Sequence, residues 1–161
     1  MPKTSAGLLL YRRTPGGIEV FLVHPGGPFW AKKDAGAWSI PKGEYEDGDD
    51  PRACALREFE EELGTALPEG TELTELGDVK QKSGKVITAY AAAGDIDADA
   101  VTSNTFTIEW PPRSGRMQEF PEVDRAGWFS LEEAAEKLNP AQAELLVRLA
   151  ALITRGPAPG A

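Results

Sequence analysis

Apolar positions along the chain alternate between two rhythms. Residues 5–11 and 18–24 are short apolar runs with β-branched and aromatic content, separated by Thr14-Pro-Gly-Gly17. That pattern predicts two strands joined as a hairpin. A proline- and glycine-rich loop from His24 to Gly36 then leads to a short strand expected at residues 38–40. Further strands are expected near residues 72–81, 86–93 and 105–110, with a last one at 127–130. Residues 131–138 and 140–153 carry apolar side chains three and four apart, the spacing of helices.

Between these segments lies a helix with clear ends. Asp50 followed by Pro51 is a capping side chain and then a proline at the first helical position, where no amide hydrogen is needed. Ala53, Leu56, Phe59 and Leu63 form the expected inward stripe, and Gly64 is expected to end the helix in a left-handed cap. The chain therefore reads as α/β (α+β), with one domain over residues 1–155 and a frayed tail over 156–161. No internal repeat or linker suggests a second domain.

The same helix is crowded with acid. Glu58, Glu61 and Glu62 stand at i, i+3 and i+4, so they share a face about one turn apart. Like charges so placed repel and destabilise an isolated helix. A solvated acidic face is the ordinary explanation of such a run; the alternative is a site for hard divalent cations, which prefer oxygen ligands.

The flanking residues decide between them. Gly43, five residues, an acid (Asp49), seven residues, then Arg57-Glu58-Phe59-Glu60-Glu61-Glu62-Leu63-Gly64 resembles the Nudix box of the MutT-like pyrophosphohydrolases. Two positions depart from the usual box: Asp49, where the family has Glu, and Thr65, where it has an aliphatic residue. The resemblance implies a mixed β-sheet sandwiched between α-helices and a metal-dependent hydrolase that uses Mg²⁺ or Mn²⁺. It implies Glu58 and Glu62 as metal ligands, Glu61 as a ligand or shared partner, and the Gly43 backbone carbonyl facing a metal. Arg57 reads as an orienting residue that pairs with Glu61 and Asp49. Members of the family often add an acid from a distant loop as ligand or general base. Glu122 is favoured here and Glu119 is the runner-up.

Composition narrows the setting. The chain has 161 residues, a formal net charge of −9 and a single cysteine. The length suits one domain with a real core. The negative charge argues against a stable nucleic-acid partner. Cys54 has no partner for an internal disulfide and is expected to be a packed, inert thiol. No apolar run is long enough to span a membrane, and the N-terminus lacks the apolar core of a secretory signal, so a cytoplasmic setting is expected. A homodimer is left open.

Substrate contacts are expected from several residues. Trp38-Ser-Ile-Pro-Lys-Gly43 resembles the dinucleoside polyphosphate hydrolase branch of the family, which makes Lys42 a candidate phosphate contact. Arg113 and Arg116 form a small basic loop in an acidic chain. Tyr90, Trp110 and Trp30 are candidate stacking platforms for a base. His24, the only histidine, is expected in a turn or at the surface. The expected substrate is a dinucleoside polyphosphate or a nucleoside triphosphate, with the 5′ end of an RNA as a further option. The readings from other classes are a nucleotide sensor without catalysis and a prenyl-diphosphate isomerase. The intact acidic triad speaks against the first, and the placement of Cys54 against the second.

Overall fold

The computed structural model describes residues 4–155, so the expected tail at 156–161 lies outside the described residues. The first two strands, β1 (Thr4–Thr14) and β2 (Gly17–Pro25), turn at Pro15-Gly16 and form the expected hairpin. Their pairing covers only residues 11–14 against 17–20. Beyond it the strands diverge, and a later segment fills the gap. Val23 and Ser39 exchange backbone hydrogen bonds of 2.9 Å, the Leu8 amide donates to the Pro41 carbonyl at 3.0 Å, and β3 (Lys42–Tyr45) pairs antiparallel with residues 4–7 of β1. This parting of β1 and β2 makes room for the site described below.

Strand β5 (Val86–Ala93) lies parallel to β1, with β4 (Thr74–Lys80) antiparallel on its outer side. Strand β8 (Val123–Ser130) closes the other edge against β2. The order is β4-β5-β1-β2-β8 with β3 beside β1, a mixed sheet. A separate hairpin is formed by β6 (Thr105–Glu109) and β7 (Met117–Pro121).

Helix α1 (Pro51–Leu63) covers one face of the sheet, and α2 (Leu131–Lys137) and α3 (Ala143–Arg155) cover the other. Side chains alternate across the pleat accordingly. Ala6, Leu8 and Leu10 of β1 pack with Phe59 and Leu63 of α1, whereas Leu9 packs with Leu145 and Leu149 of α3. Burial on both faces explains why the central strands read as continuous apolar runs instead of alternating ones. The expected sandwich is present. Among the described residues no helix is long and apolar enough to cross a membrane.

Four expectations change. Residues 38–40 form isolated bridges, Val23↔Ser39 and Trp38↔Leu138, and the strand comes later as β3. The acidic loop holds strand β7, whose exposed Met117-Gln-Glu-Phe-Pro121 has no apolar alternation and is ordered by pairing with β6. β8 starts at Val123, well before residue 127. In α1, Cys54 and Ala55 face inward with Phe59 and Leu63, while Ala53 and Leu56 are exposed. Leu56 and Ala55 both lie at helical spacing from Phe59 and Leu63, and packing against the sheet selected Ala55, with Cys54 beside it.

Candidate active site

The acidic helix begins and ends as its sequence dictates. The Asp50 side chain accepts from the Arg52 amide at 3.1 Å, and Gly64 adopts φ 70° while its amide donates to the Glu60 carbonyl at 2.8 Å. With Cys54, Ala55, Phe59 and Leu63 facing the sheet, Glu58 and Glu62 fall on the flank of the buried stripe, at the helix–sheet boundary. Glu61 and Glu60 point to solvent.

Two contacts with the 42–43 segment hold the inner acids. A Cβ added at Gly43 would lie 2.0 Å from Glu58 Cδ, so a larger residue there would push the Glu58 carboxyl out of its present place. The Lys42 amide donates to Glu62 Oε2 at 3.1 Å. A cleft of about 120 Å³ opens between the end of β2, the 39–42 segment, α1 and the start of β8. Its lining includes Ser39, Lys42, Glu62 and Glu122. Glu122 occupies the single residue between β7 and β8, and both its backbone groups are tied. Its amide donates to the Asn104 carbonyl at 2.8 Å, and its carbonyl accepts from the Gly26 amide at 3.0 Å.

The electrostatics are those of excess negative charge in a poor solvent for it. Burial pushes the Glu62 carboxyl up to about 8, with Glu58 and Glu122 adding to the rise and Lys42 opposing it. Glu58 is also raised, first by burial, then by Glu61, with Glu122 contributing further. The Lys42 ammonium is lowered by burial, and Glu62 works against that shift. A set of hard oxygen donors short of positive charge, with a glycine cradle that admits one of them closely, fits a divalent cation. Among the described residues no three acidic, histidine or cysteine side chains are grouped closely enough to hold a metal ion, so a cation here would draw the carboxylates together.

The other expected residues are distributed unevenly. Both loop acids are exposed, but Glu122 lines the cleft and Glu119 does not; Glu119 lies on β7 opposite Thr107. Arg57 pairs neither with Glu61 nor with Asp49. Its guanidinium lies 3.9 Å from Glu58 Oε1 and 3.7 Å from Cys54 Sγ. Asp49 accepts from the Glu46 amide at 3.1 Å, so its shorter side chain closes its own turn. Cys54 is buried, its thiol raised by burial and directed at the Gly43 carbonyl at 3.8 Å.

Tyr90 is corrected outright as a stacking platform. It is 2% exposed, packs in the core beneath α1, and carries Arg52 5.1 Å over its ring. A buried ring has no face to offer a base. Trp110 stands at the far end of the β6–β7 hairpin, edge-on to Phe29 at 5.2 Å. Arg113 and Arg116 are exposed in the turn beyond it. Four residue steps along β7 separate Met117 from Pro121, so the arginines lie about 13 Å or more along the hairpin from Glu122. They meet only a substrate that extends out of the cleft.

His24 is not at the surface. It is fully buried; its Nε2–H donates to the Lys33 carbonyl at 2.6 Å, and Nδ1 is in hydrogen-bond contact with Asp124 Oδ1 at 2.7 Å. The residues that escaped notice in the sequence are Asp124, two positions after Glu122, and Phe29, 60% exposed beside Trp110. The Gly-Gly-Pro-Phe-Trp run was the available signal for Phe29.

A mixed sheet between helices, with one helix presenting carboxylates to a cleft closed by an acid from a distant strand, defines a class of α+β domain built around an oxygen-rich site. The NUDIX domain model matches residues 1–149, and the chain belongs to the Nudix family. It is 50% identical over 34 residues to Nudix hydrolase 25 of Arabidopsis thaliana, covering 21% of this chain and 19% of that one. It is 36% identical over 67 residues to the RNA pyrophosphohydrolase of Rhodospirillum rubrum, covering 40% and 39%. The matched segments thus span about a fifth and about two fifths of those relatives. A C. elegans Ap4A hydrolase in a binary complex shares the fold, with TM-score 0.66 and 22% identity over 94% of this chain and 98% of that one.

Proposed function

We propose that the chain hydrolyses a phosphoanhydride bond in a nucleoside diphosphate derivative, with Mg²⁺ or Mn²⁺ as cofactor. The observation that carries this reading is one cleft lined by Glu62 from α1, Glu122 from the β7–β8 junction and Lys42, with Glu58 one turn before Glu62 and within the electrostatic reach of Glu122. Glu58, Glu61, Glu62, Glu122 and the Gly43 carbonyl are the groups that would hold the cation. When bound, the ion neutralises charge on the phosphate oxygens and acidifies a water.

The chain's own residues do the rest. Gly43 leaves space for Glu58, and the Lys42 amide fixes Glu62. Glu122, anchored through its backbone, accepts the proton of the attacking water. Arg57 orients Glu58 from the exposed side. The Lys42 ammonium lies next to Glu62 and within reach of a phosphate that enters the same cleft.

The Trp38–Gly43 pattern and the shared fold with an Ap4A hydrolase favour a dinucleoside polyphosphate, with a nucleoside triphosphate next. The Rhodospirillum rubrum relative supports a second reading, removal of pyrophosphate from an RNA 5′ end. The buried free Cys54 suits a reducing cytosol. The test is a panel of nucleoside triphosphates, dinucleoside polyphosphates, sugar nucleotides and 5′-triphosphorylated RNA with each metal, repeated with Glu62→Gln. Cleavage of one member that is lost in the variant supports the proposal. Absence of cleavage throughout refutes it and leaves the sensor reading.

A further inference from the structure

A second cleft, of about 880 Å³, lies apart from the carboxylates. Three separate segments line it: Trp30 from the loop after β2, Lys80, Lys82 and Ser83 from the β4–β5 turn, and Asn139 and Pro140 between α2 and α3. Its volume is that of a small-molecule pocket. It combines an aromatic ring, two ammonium groups and short polar side chains.

The ring is not a core residue that happens to show an edge. Trp30 is 37% exposed, and the Lys33 ammonium stands 5.1 Å from its centroid. The Lys33 ammonium stands over one face of this indole, so a base at the mouth of the basic cleft would stack on the opposite face. The charge is equally local. In a chain of net charge −9, Lys32 and Lys33 adjoin Trp30, and Lys80, Lys82 and Lys85 share one turn. Lys85 pairs with Glu44 at 3.8 Å; among the described residues neither Lys80 nor Lys82 has a carboxylate within 4.0 Å. Phosphate is the anion such a concentration of lysine attracts.

The turn also joins the two clefts. Lys85 reaches Glu44 on β3, two residues from Lys42, and its charge acts on Lys42 itself. A phosphate chain that enters beside Lys42 therefore has a basic path along the turn toward Trp30. We propose that this cleft receives a second nucleotide of the substrate, its base against Trp30 and its phosphates beside Lys80 and Lys82. The inference rests on the phosphoanhydride reading above and gives it a substrate class. The phosphate chain carries a nucleoside at each end, as in a dinucleoside polyphosphate, or continues into further nucleotides, as at an RNA 5′ end.

The test compares Trp30→Ala and the double variant Lys80→Ala/Lys82→Ala with the unaltered protein on ATP, diadenosine tetraphosphate and a 5′-triphosphorylated tetraribonucleotide. The quantity read is the KM for each longer substrate divided by the KM for ATP. Loss of one stacked base raises that ratio about tenfold, with kcat little changed. A rise confined to diadenosine tetraphosphate assigns the site to dinucleoside polyphosphates; a rise confined to the RNA assigns it to RNA; either supports the proposal. An unchanged ratio for both, or an equal rise in all three KM values, overturns it. The lysine pair is on an exposed turn, so its result stands even where Trp30→Ala fails to fold. Should the unaltered protein cleave none of the three, the hydrolase reading fails separately. The cleft is then read by calorimetric titration with diadenosine tetraphosphate: binding that the lysine double variant removes supports the site, and no binding overturns it.

Discussion

The carboxyl of Glu58 lies against the α-carbon of Gly43, so close that an added Cβ would sit 2.0 Å from Glu58 Cδ and 2.3 Å from Oε2. Gly43 does not have a positive φ among the glycines that do, so the demand is for space and not for backbone freedom. Gly43→Ala should therefore fold with little loss of stability, because the atoms in the way are the far end of the flexible Glu58 side chain, and displace that carboxyl. A shift of about 1 Å at a catalytic group costs roughly a hundredfold in rate. Crystal structures and kcat of the variant check this together; near-normal kcat would show that the Glu58 position is not critical.

Glu62 makes stability depend on pH in an unusual direction. Its carboxyl is raised from an ordinary 4.5 to about 8 in the folded chain. Between those values the folded state holds a proton that the unfolded state has lost, so ΔG of unfolding falls as pH rises. The favourable contribution is complete below about pH 4.5 and is gone once the pH has passed about 8. Allowing for the partial exposure of the group, about 2–4 kcal/mol is at stake. Thermal melts in EDTA from about pH 5 to 9 should show a falling Tm that Glu62→Gln flattens. A Tm that climbs over this range would contradict the burial of Glu62. Mg²⁺ should raise Tm most at the alkaline end, because the cation competes with the proton.

The two loop acids are separable by activity. Glu122 lines the cleft with Glu62, and Glu119 faces solvent from β7. Glu122→Gln should lower kcat by about 10²–10⁴, the range for loss of a general base, whereas Glu119→Gln should remain within about twofold. Similar kcat values for the two variants would remove Glu122 from the proposed chemistry.

What the sequence disclosed and what it hid follow from the range of the forces involved. The α1 caps at Asp50 and Gly64, the β1–β2 hairpin and the box acids are local, set by residues a few positions apart, and each was legible. The inward stripe was not. Leu56 and Ala55 both fit the three- and four-residue steps that lead to Phe59 and Leu63, and only contact with the sheet selects Ala55 and brings Cys54 in beside it. In the sequence Tyr90 is a candidate for stacking and for the core alike, because aromatic residues mark both strands and binding sites; its burial comes from α1 and Arg52 packing over it. Strand β7 has no pattern of its own and exists through its pairing with β6. The cleft joining Lys42, Glu62 and Glu122 depends on the parting of β1 and β2, a tertiary event that no window of sequence contains.

His24 supplies the last test, of the frame that holds Glu122. The ring joins β2 to the Lys33 carbonyl and to Asp124, two residues beyond Glu122, and lies edge-on to Trp38 at 5.3 Å. His24→Leu keeps the volume but strips the partners from a carbonyl and a carboxylate. Among the described residues Asp124 then retains only Arg125, 3.9 Å away and about half exposed. The expected cost is about 2–4 kcal/mol, read from denaturant unfolding. The attribution to Asp124 is checked by a double-mutant cycle with Asp124→Asn. If the hydrogen bond carries the effect, the two losses are not additive, and the coupling should be about 1 kcal/mol or more. Strict additivity would assign the loss to packing around Trp38 instead. Since Glu122 is anchored on the same strand junction, His24→Leu should also lower kcat more than a distant core change of equal cost, such as Leu149→Ala in α3.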